Sequence, residues 1–302
     1  MDFEPAYVAF LHKGTLRQRV AEARQHLERC DLCANQCHVN RHETTVGTVC
    51  QTGAQAVVSS YGAHHGEEKP LSGWNGSGTI FFSRCNLHCV YCQNWEISHK
   101  GIGRELSAGE LASMMLYLER QGCHNINFVS PSHVVAPIIE AVEIAALSGL
   151  RIPLVYNTGG YDSLEALRLL DGIVDIYMPD MKYGSSDVAR RFSKVQDYAE
   201  VNQKAVKEMH RQVGDLSLSP DGLAQRGLLI RHLVLPGDIS NCSGVLTFIA
   251  NEISMRTYIN LMDQYRPCYR ADDYPPLDQP LNRRDYQLAV ECAHRLGLNR
   301  LD

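Results

Sequence analysis

From residue 79 onward the chain alternates short apolar runs with segments of helical periodicity, and this rhythm constrains the fold more than any other feature. The runs at 79–82, 125–129, 153–156, 173–178, 228–235 and 258–262 read as strands. Helices are expected at 107–121, 134–147, 162–170, 187–210, 240–252 and 283–296. Strict alternation means parallel strands joined by crossover helices. The runs are mostly apolar throughout, as suits strands covered on both faces. Six units fall short of the eight of a closed barrel. The expectation is an α/β fold, an open partial (β/α)6 barrel. A doubly wound sheet is the alternative that periodicity does not separate. Both put ligand chemistry at the carboxyl ends of the strands.

Local signals refine this outline. Ser107 and Glu110 form a capping box, with Leu111, Met114, Met115 and Leu118 on one helical face. Pro137 is tolerable only in the first turn of its helix. Near the N-terminus, Thr15 and Gln18 read as another capping box, with Val20, Ala23 and Leu27 following at helical spacing. Residues 30–78 carry four cysteines and seven glycines and read as an irregular, metal-held extension with little core of its own. The expected organisation is an N-terminal helix and four-cysteine extension at 1–78 and a barrel with a C-terminal helix at 79–302. Loops 211–227 and 266–282, rich in turn residues, are the expected mobile segments.

Composition excludes several classes. Lys and Arg number 29 against 34 Asp and Glu, a net charge of -5, so a nucleic-acid partner is not indicated. No apolar run approaches the roughly 20 residues of a membrane span. The first residues lack the basic-then-apolar order of a secretory signal, so a cytoplasmic location is expected. Eleven cysteines, an odd number, include seven between Cys30 and Cys92. Such clustering points to metal ligands rather than disulfides.

Directly after the first strand stands RCNLHCVYCQN, which spaces Cys85, Cys89 and Cys92 as C-x3-C-x2-C with Tyr91 before the last. Three thiolates on a short loop can hold three irons of a cubane cluster and leave the fourth open. An open position is what a catalytic metal needs. A zinc knuckle completed by His88 is the plainer alternative. The loop resembles that of the radical S-adenosylmethionine (SAM) superfamily. That resemblance implies a [4Fe-4S] cluster on Cys85, Cys89 and Cys92 that chelates SAM and cleaves it reductively to a 5'-deoxyadenosyl radical. Longer motifs, among them CQNWEIS, YNTGGY, DIYMPDMKY and LLIRHLVLPG, are similar to the pyruvate formate-lyase activating enzyme-like branch labelled PflX.

The later strand ends carry the remaining candidates. The second ends NFVSPSH, where the superfamily usually has Gly-Gly-Glu, so Ser130 is left to accept from the SAM ammonium. Residues 130–133 also read as a helix cap. Asn157, Thr158 and Gly159 resemble a loop that lies near SAM in activating enzymes; a turn capped by Asp162 is the alternative. Asp180 and Lys182 share one face of an extended chain. Lys182 is expected on the SAM carboxylate or a substrate acid, unless the pair only stabilises the barrel mouth. Arg231 and His232 point to opposite sides of their strand, with Arg231 expected towards SAM or substrate. In the sixth strand Asn260, Met262 and Gln264 share a face, where packing is favoured over substrate contact.

Cys30, Cys33, Cys37 and Cys50 form C-x2-C-x3-C-x12-C and read as a second metal site, zinc or iron–sulfur. Cys123, Cys242, Cys268 and Cys292 read as free thiols. The expected activity is that of a radical SAM oxidoreductase. It needs a reductant such as flavodoxin or ferredoxin, and its leading candidate substrate is a glycyl-radical enzyme partner, with another protein or a small molecule as the alternative. A non-catalytic iron–sulfur electron-transfer or scaffold protein is the alternative.

Overall fold

The strands assemble into one nine-stranded sheet in a computed structural model that describes residues 3–302. Helices α1 (Ala6–His12) and α2 (Thr15–Gln25) open the chain. Strand β1 (Ala56–His64) and the short helix α3 (Lys69–Ser72) lead to β2 (Ser77–Phe82). Helix α4 (Trp95–Ser98), β3 (Arg104–Leu106) and α5 (Ala108–Arg120) follow the cysteine loop. The alternation continues with β4 (Ile126–Val129), α6 (Val135–Leu147), β5 (Leu154–Thr158), α7 (Leu164–Leu170) and β6 (Ile176–Pro179). Helices α8 (Ser186–Phe192) and α9 (Tyr198–Val213) precede the hairpin of β7 (Ser217–Leu218) and β8 (Ala224–Leu233). Helix α10 (Cys242–Phe248), β9 (Tyr258–Met262) and α11 (Arg283–Arg295) complete the order.

Strands β2, β4, β5, β6, β8 and β9 pair in parallel in that order. The sheet does not close, so the fold is the expected partial (β/α)6 barrel. The outer edge of β9 carries a bridge from Leu301 to Ile259. Alternation within the strands separates two layers. Ile80, Phe128, Tyr156, Tyr177 and Leu228 join the helix-side core with Met115, Ile139, Leu167 and Met209. Val155, Ile176, Met178 and Leu229 point the other way and meet Leu71 of α3, which plugs the barrel floor.

Five local readings are corrected. Residues 56–64 are not irregular. They form β1, antiparallel to β2 and β3, and Ala56 and Val58 enter the main core. Thr15 is not a cap: the residue before α2 is Gly14, at φ 71°, and no side chain caps that helix. The single helix expected at 187–210 is two, broken around Lys194 at φ 63°. Neither 130–133 nor Asp162 caps a helix. Val134 precedes α6 without a side-chain cap, and Ser163 caps α7 by accepting from the Ala166 N–H. The capping box of Ser107 and Glu110 is formed, and Pro137 lies in the first turn of α6.

Candidate active site

The carboxyl ends of the parallel strands surround a cavity of about 270 Å³. The cysteine loop covers one side. Cys85, Cys89, Cys92, Tyr91, Ser130, Asn157, Thr158, Gly159, Asp180, Lys182 and Arg231 all line it. Residues spread over almost 150 positions therefore meet because each follows or ends a parallel strand.

Each cysteine sulfur has a polar neighbour. The Leu87 N–H donates to Cys85 Sγ at 3.4 Å. Ser193 Oγ lies 3.0 Å from Cys89 Sγ, and Ser98 Oγ 3.2 Å from Cys92 Sγ. Burial pushes the Cys85 thiol up to about 12 and raises that of Cys89. A cation is therefore needed to displace their protons at neutral pH. The donor set fits an iron–sulfur cluster: three thiols, hydrogen-bonded from behind, with open space in front. His88, the alternative fourth ligand, does not line the cavity; its Nε2 lies 3.3 Å from the Val49 carbonyl oxygen.

Opposite the cysteines stands a charged cluster. Arg231 Nε donates to Asp180 Oδ1 at 2.9 Å and Arg231 Nη2 to Asn157 Oδ1 at 2.7 Å. Lys182 Nζ donates to Asp180 Oδ2 at 2.5 Å. Burial alone would raise the Asp180 carboxyl, but the Arg231 and Lys182 cations hold it below its ordinary range. Burial likewise opposes the charge on Lys182, and Asp180 more than restores it. Lys182 spends one of its three donors on Asp180 and keeps the others for an acidic ligand group. His232 turns outward as expected, with Nδ1 2.6 Å from the Met181 carbonyl oxygen.

Backbone geometry shapes the same wall. Gly160 sits at φ +75°, and a Cβ there would lie 2.2 Å from Asn202 Nδ2 and 2.3 Å from the Asp180 oxygen. Only glycine allows this approach. Thr158 Oγ1 donates to Asp162 Oδ2 at 2.7 Å, while Ser132 Oγ lies 2.8 Å from Thr158 Oγ1. Ser130, at φ 58°, faces the cavity. The Tyr91 hydroxyl is spent on Tyr183, 2.6 Å away, so its ring rather than its oxygen faces a ligand.

Three lining residues were not singled out from sequence, Gln93, Asn94 and Ser98, and Met262 and Gln264 line the cavity as well. Met262 and Gln264 lie on the β9 face first read as packing. The signal available was their alternation on a strand end. Below Arg231, Glu67 Oε2 approaches its Nη1 at 4.0 Å, and Glu68 accepts from Asn260 at 2.9 Å. Cys268 does not line the cavity.

The N-terminal cysteines lie outside the cavity. Cys30, Cys33 and Cys50 are buried and Cys37 is half-buried. Burial pushes the Cys33 thiol up to about 12, with further contributions from Cys50, Cys30 and Cys37. Among the described residues no three metal-ligating side chains are already drawn into a ligand shell.

Residues 79–219 match the radical SAM superfamily. An uncharacterized protein of Methanocaldococcus jannaschii is 30% identical over 298 residues, covering 96% of this chain and 81% of that one. Among solved structures, HydG, a maturase of the [FeFe]-hydrogenase, shares the fold at TM-score 0.51 and 11% identity, over 74% of this chain and 49% of HydG. A domain of pyruvate-formate lyase-activating enzyme from Bacteroides vulgatus aligns at TM-score 0.36 and 14% identity, over 65% of this chain and 89% of that domain. No helix among the described residues is long and apolar enough to cross a membrane.

Proposed function

Because the chain belongs to the radical SAM superfamily, we propose that it is an enzyme binding a [4Fe-4S] cluster through Cys85, Cys89 and Cys92 and SAM beside it. The observation that carries this reading is the convergence of the three thiols and the strand-end polar groups on one cavity. When bound, the cluster and SAM together supply reductive carbon–sulfur cleavage and a hydrogen-abstracting 5'-deoxyadenosyl radical.

The chain's own residues bind, orient and shield. The Leu87 N–H donates to Cys85 Sγ, and the Ser193 and Ser98 hydroxyls lie within hydrogen-bond reach of Cys89 and Cys92, the outer contacts a ligating thiolate needs. Asp180 aligns Lys182 and Arg231, and Lys182 keeps donors free for the carboxylate of SAM. Ser130 offers an acceptor to its ammonium, and Gly159 lets backbone approach it. Burial of Tyr91, Tyr183 and Tyr198 behind the loop keeps water from the reacting side.

For the substrate, the motif resemblance favours a protein partner of the glycyl-radical type, held at the barrel mouth. The test is anaerobic. Wild type and a variant with Cys85, Cys89 and Cys92 changed to Ala are reconstituted with iron and sulfide and reduced with dithionite. Electron paramagnetic resonance is recorded with and without SAM, and 5'-deoxyadenosine is quantified. A SAM-perturbed signal and deoxyadenosine in wild type alone are expected. An intact cluster that neither responds to SAM nor cleaves it overturns the reading in favour of electron transfer.

A further inference from the structure

Two hydrogen-bonded links run from the N-terminal cysteines into the cavity's cysteine loop. Asn35 Nδ2 lies 3.8 Å from Cys33 Sγ and donates to the Asn86 carbonyl oxygen at 2.8 Å, one residue from Cys85. The Val49 N–H donates to Cys37 Sγ at 3.4 Å, while the Val49 carbonyl meets His88, between Cys85 and Cys89. Ala34 packs on the apolar cluster containing Leu87 and Cys89. A part that only stapled an extension would need no contact with that loop.

Charge points the same way. Arg41 is 2% exposed. Its guanidinium donates to the carbonyl oxygens of Thr52, Gly53 and His133, and to Cys30 Sγ at 3.6 Å. Among the described residues no carboxylate pairs with it. A buried cation without an anion is costly. Four thiolates around a metal centre are net anionic and supply the missing counter-charge. Hydrogen bonds to the sulfurs from Arg41, Asn35 and Val49 are the outer contacts that tune a cluster's potential. Cys37 is half-buried, while buried Cys33 connects to the Cys85 loop through Asn35.

We infer that Cys30, Cys33, Cys37 and Cys50 hold a second iron–sulfur cluster that delivers electrons to the Cys85–Cys89–Cys92 loop through Asn35–Asn86 and Val49–His88, with Arg41 as its buried counter-charge. The inference rests on the radical SAM reading of that loop. Electrons balance as follows. One low-potential carrier of the flavodoxin or ferredoxin class loses one electron. The N-terminal cluster gains and releases it. The electron ends in cleavage of one carbon–sulfur bond of SAM, releasing methionine. Asn35 and His88 are positioning residues and do not touch substrate.

The experiment uses the full chain, reconstituted anaerobically with iron and sulfide. Wild type is expected to hold about eight irons, and the variant with Cys85, Cys89 and Cys92 changed to Ala about four, with a [4Fe-4S] resonance of its own. Asn35→Ala combined with His88→Ala should keep the iron content of wild type. It should also slow reduction of the Cys85–Cys89–Cys92 cluster by reduced flavodoxin several-fold, followed by rapid-freeze paramagnetic resonance. Dithionite, small enough to enter the cavity directly, should reduce that cluster equally in both. Zinc in place of iron at the N-terminal cysteines overturns the inference, and about four irons in wild type does so without any variant. An unchanged flavodoxin rate also overturns it. If SAM is not cleaved under dithionite although both clusters are present, the functional reading fails instead, and the intercluster rate is still measured.

Discussion

Replacing Asp180 with Asn removes the one carboxylate between two buried cations. Its side chain is 14% exposed, and those of Lys182 and Arg231 are 19% exposed each. Asn keeps the volume and one acceptor but takes away the carboxylate that both cations touch, leaving Arg231 to the more distant Glu67 and Glu68. The next carboxylate, Glu67, is 4.0 Å from Arg231 and cannot reach both. Breaking a buried pair from one side costs about 3–5 kcal/mol, and partial exposure puts this case near about 3. With about 2.1 cal/mol/K of unfolding entropy per residue, the 302 residues give about 0.6 kcal/mol/K and a fall in Tm of about 5 °C. Calorimetry of the anaerobically purified protein reads it directly. The double variant Asp180→Asn with Arg231→Met should be less destabilised than the sum of its parts, since it removes a stranded cation together with its partner. Because Asp180 is held below its ordinary range, its contribution is full above ordinary carboxylate values and begins to fall as pH drops through them. It is fully lost only below them, so the gap to wild type holds at pH 5. A Tm within about 1 °C of wild type, or strict additivity in the cycle, refutes the reasoning.

Further outcomes follow from other sites. His133 is buried, and burial together with the nearby Arg41 pushes its imidazole down to about 3. The unfolded chain therefore takes up a proton as pH drops through about 6.5 while the folded chain does not, costing about 2 kcal/mol by pH 5. Urea titrations should show that slope flattened in His133→Gln. Gly160→Ala forces a Cβ against Asn202 and the Asp180 oxygen; it should lose at least about 2 kcal/mol and with it SAM binding, read by thermal melts with and without SAM. Ser107→Ala breaks a formed capping box and should cost about 1 kcal/mol in urea unfolding while leaving deoxyadenosine formation unchanged.

Much of this architecture is legible in the chain's periodicity. The six parallel strands follow from alternation, and the cavity residues from their places at strand ends. The opposite orientations of Arg231 and His232 follow from a two-residue repeat. What was missed has physical reasons. Strand β1 is buried only in its first half, and its pairing is antiparallel and non-local, so nothing in AVVSSYGAH distinguishes it from loop. The break at 193–197 frees Ser193 to reach Cys89, 104 residues earlier, a contact that no local pattern encodes. Glu67 and Glu68 reach the barrel floor through the turn before α3, where charge alone suggests a solvated loop.

The unfinished circumference of the barrel has a consequence for how molecules meet in solution. An open sheet presents a row of unpaired peptide groups at its last strand, a template for a neighbouring chain. On β9 that row is occupied by residues 300–302: the Ile259 N–H donates to the Arg300 carbonyl and the Asp302 N–H to that of Ile259. These few residues act as an edge guard. Breaking that pairing strips the guard without touching the cavity and opens the edge to pairing with another chain.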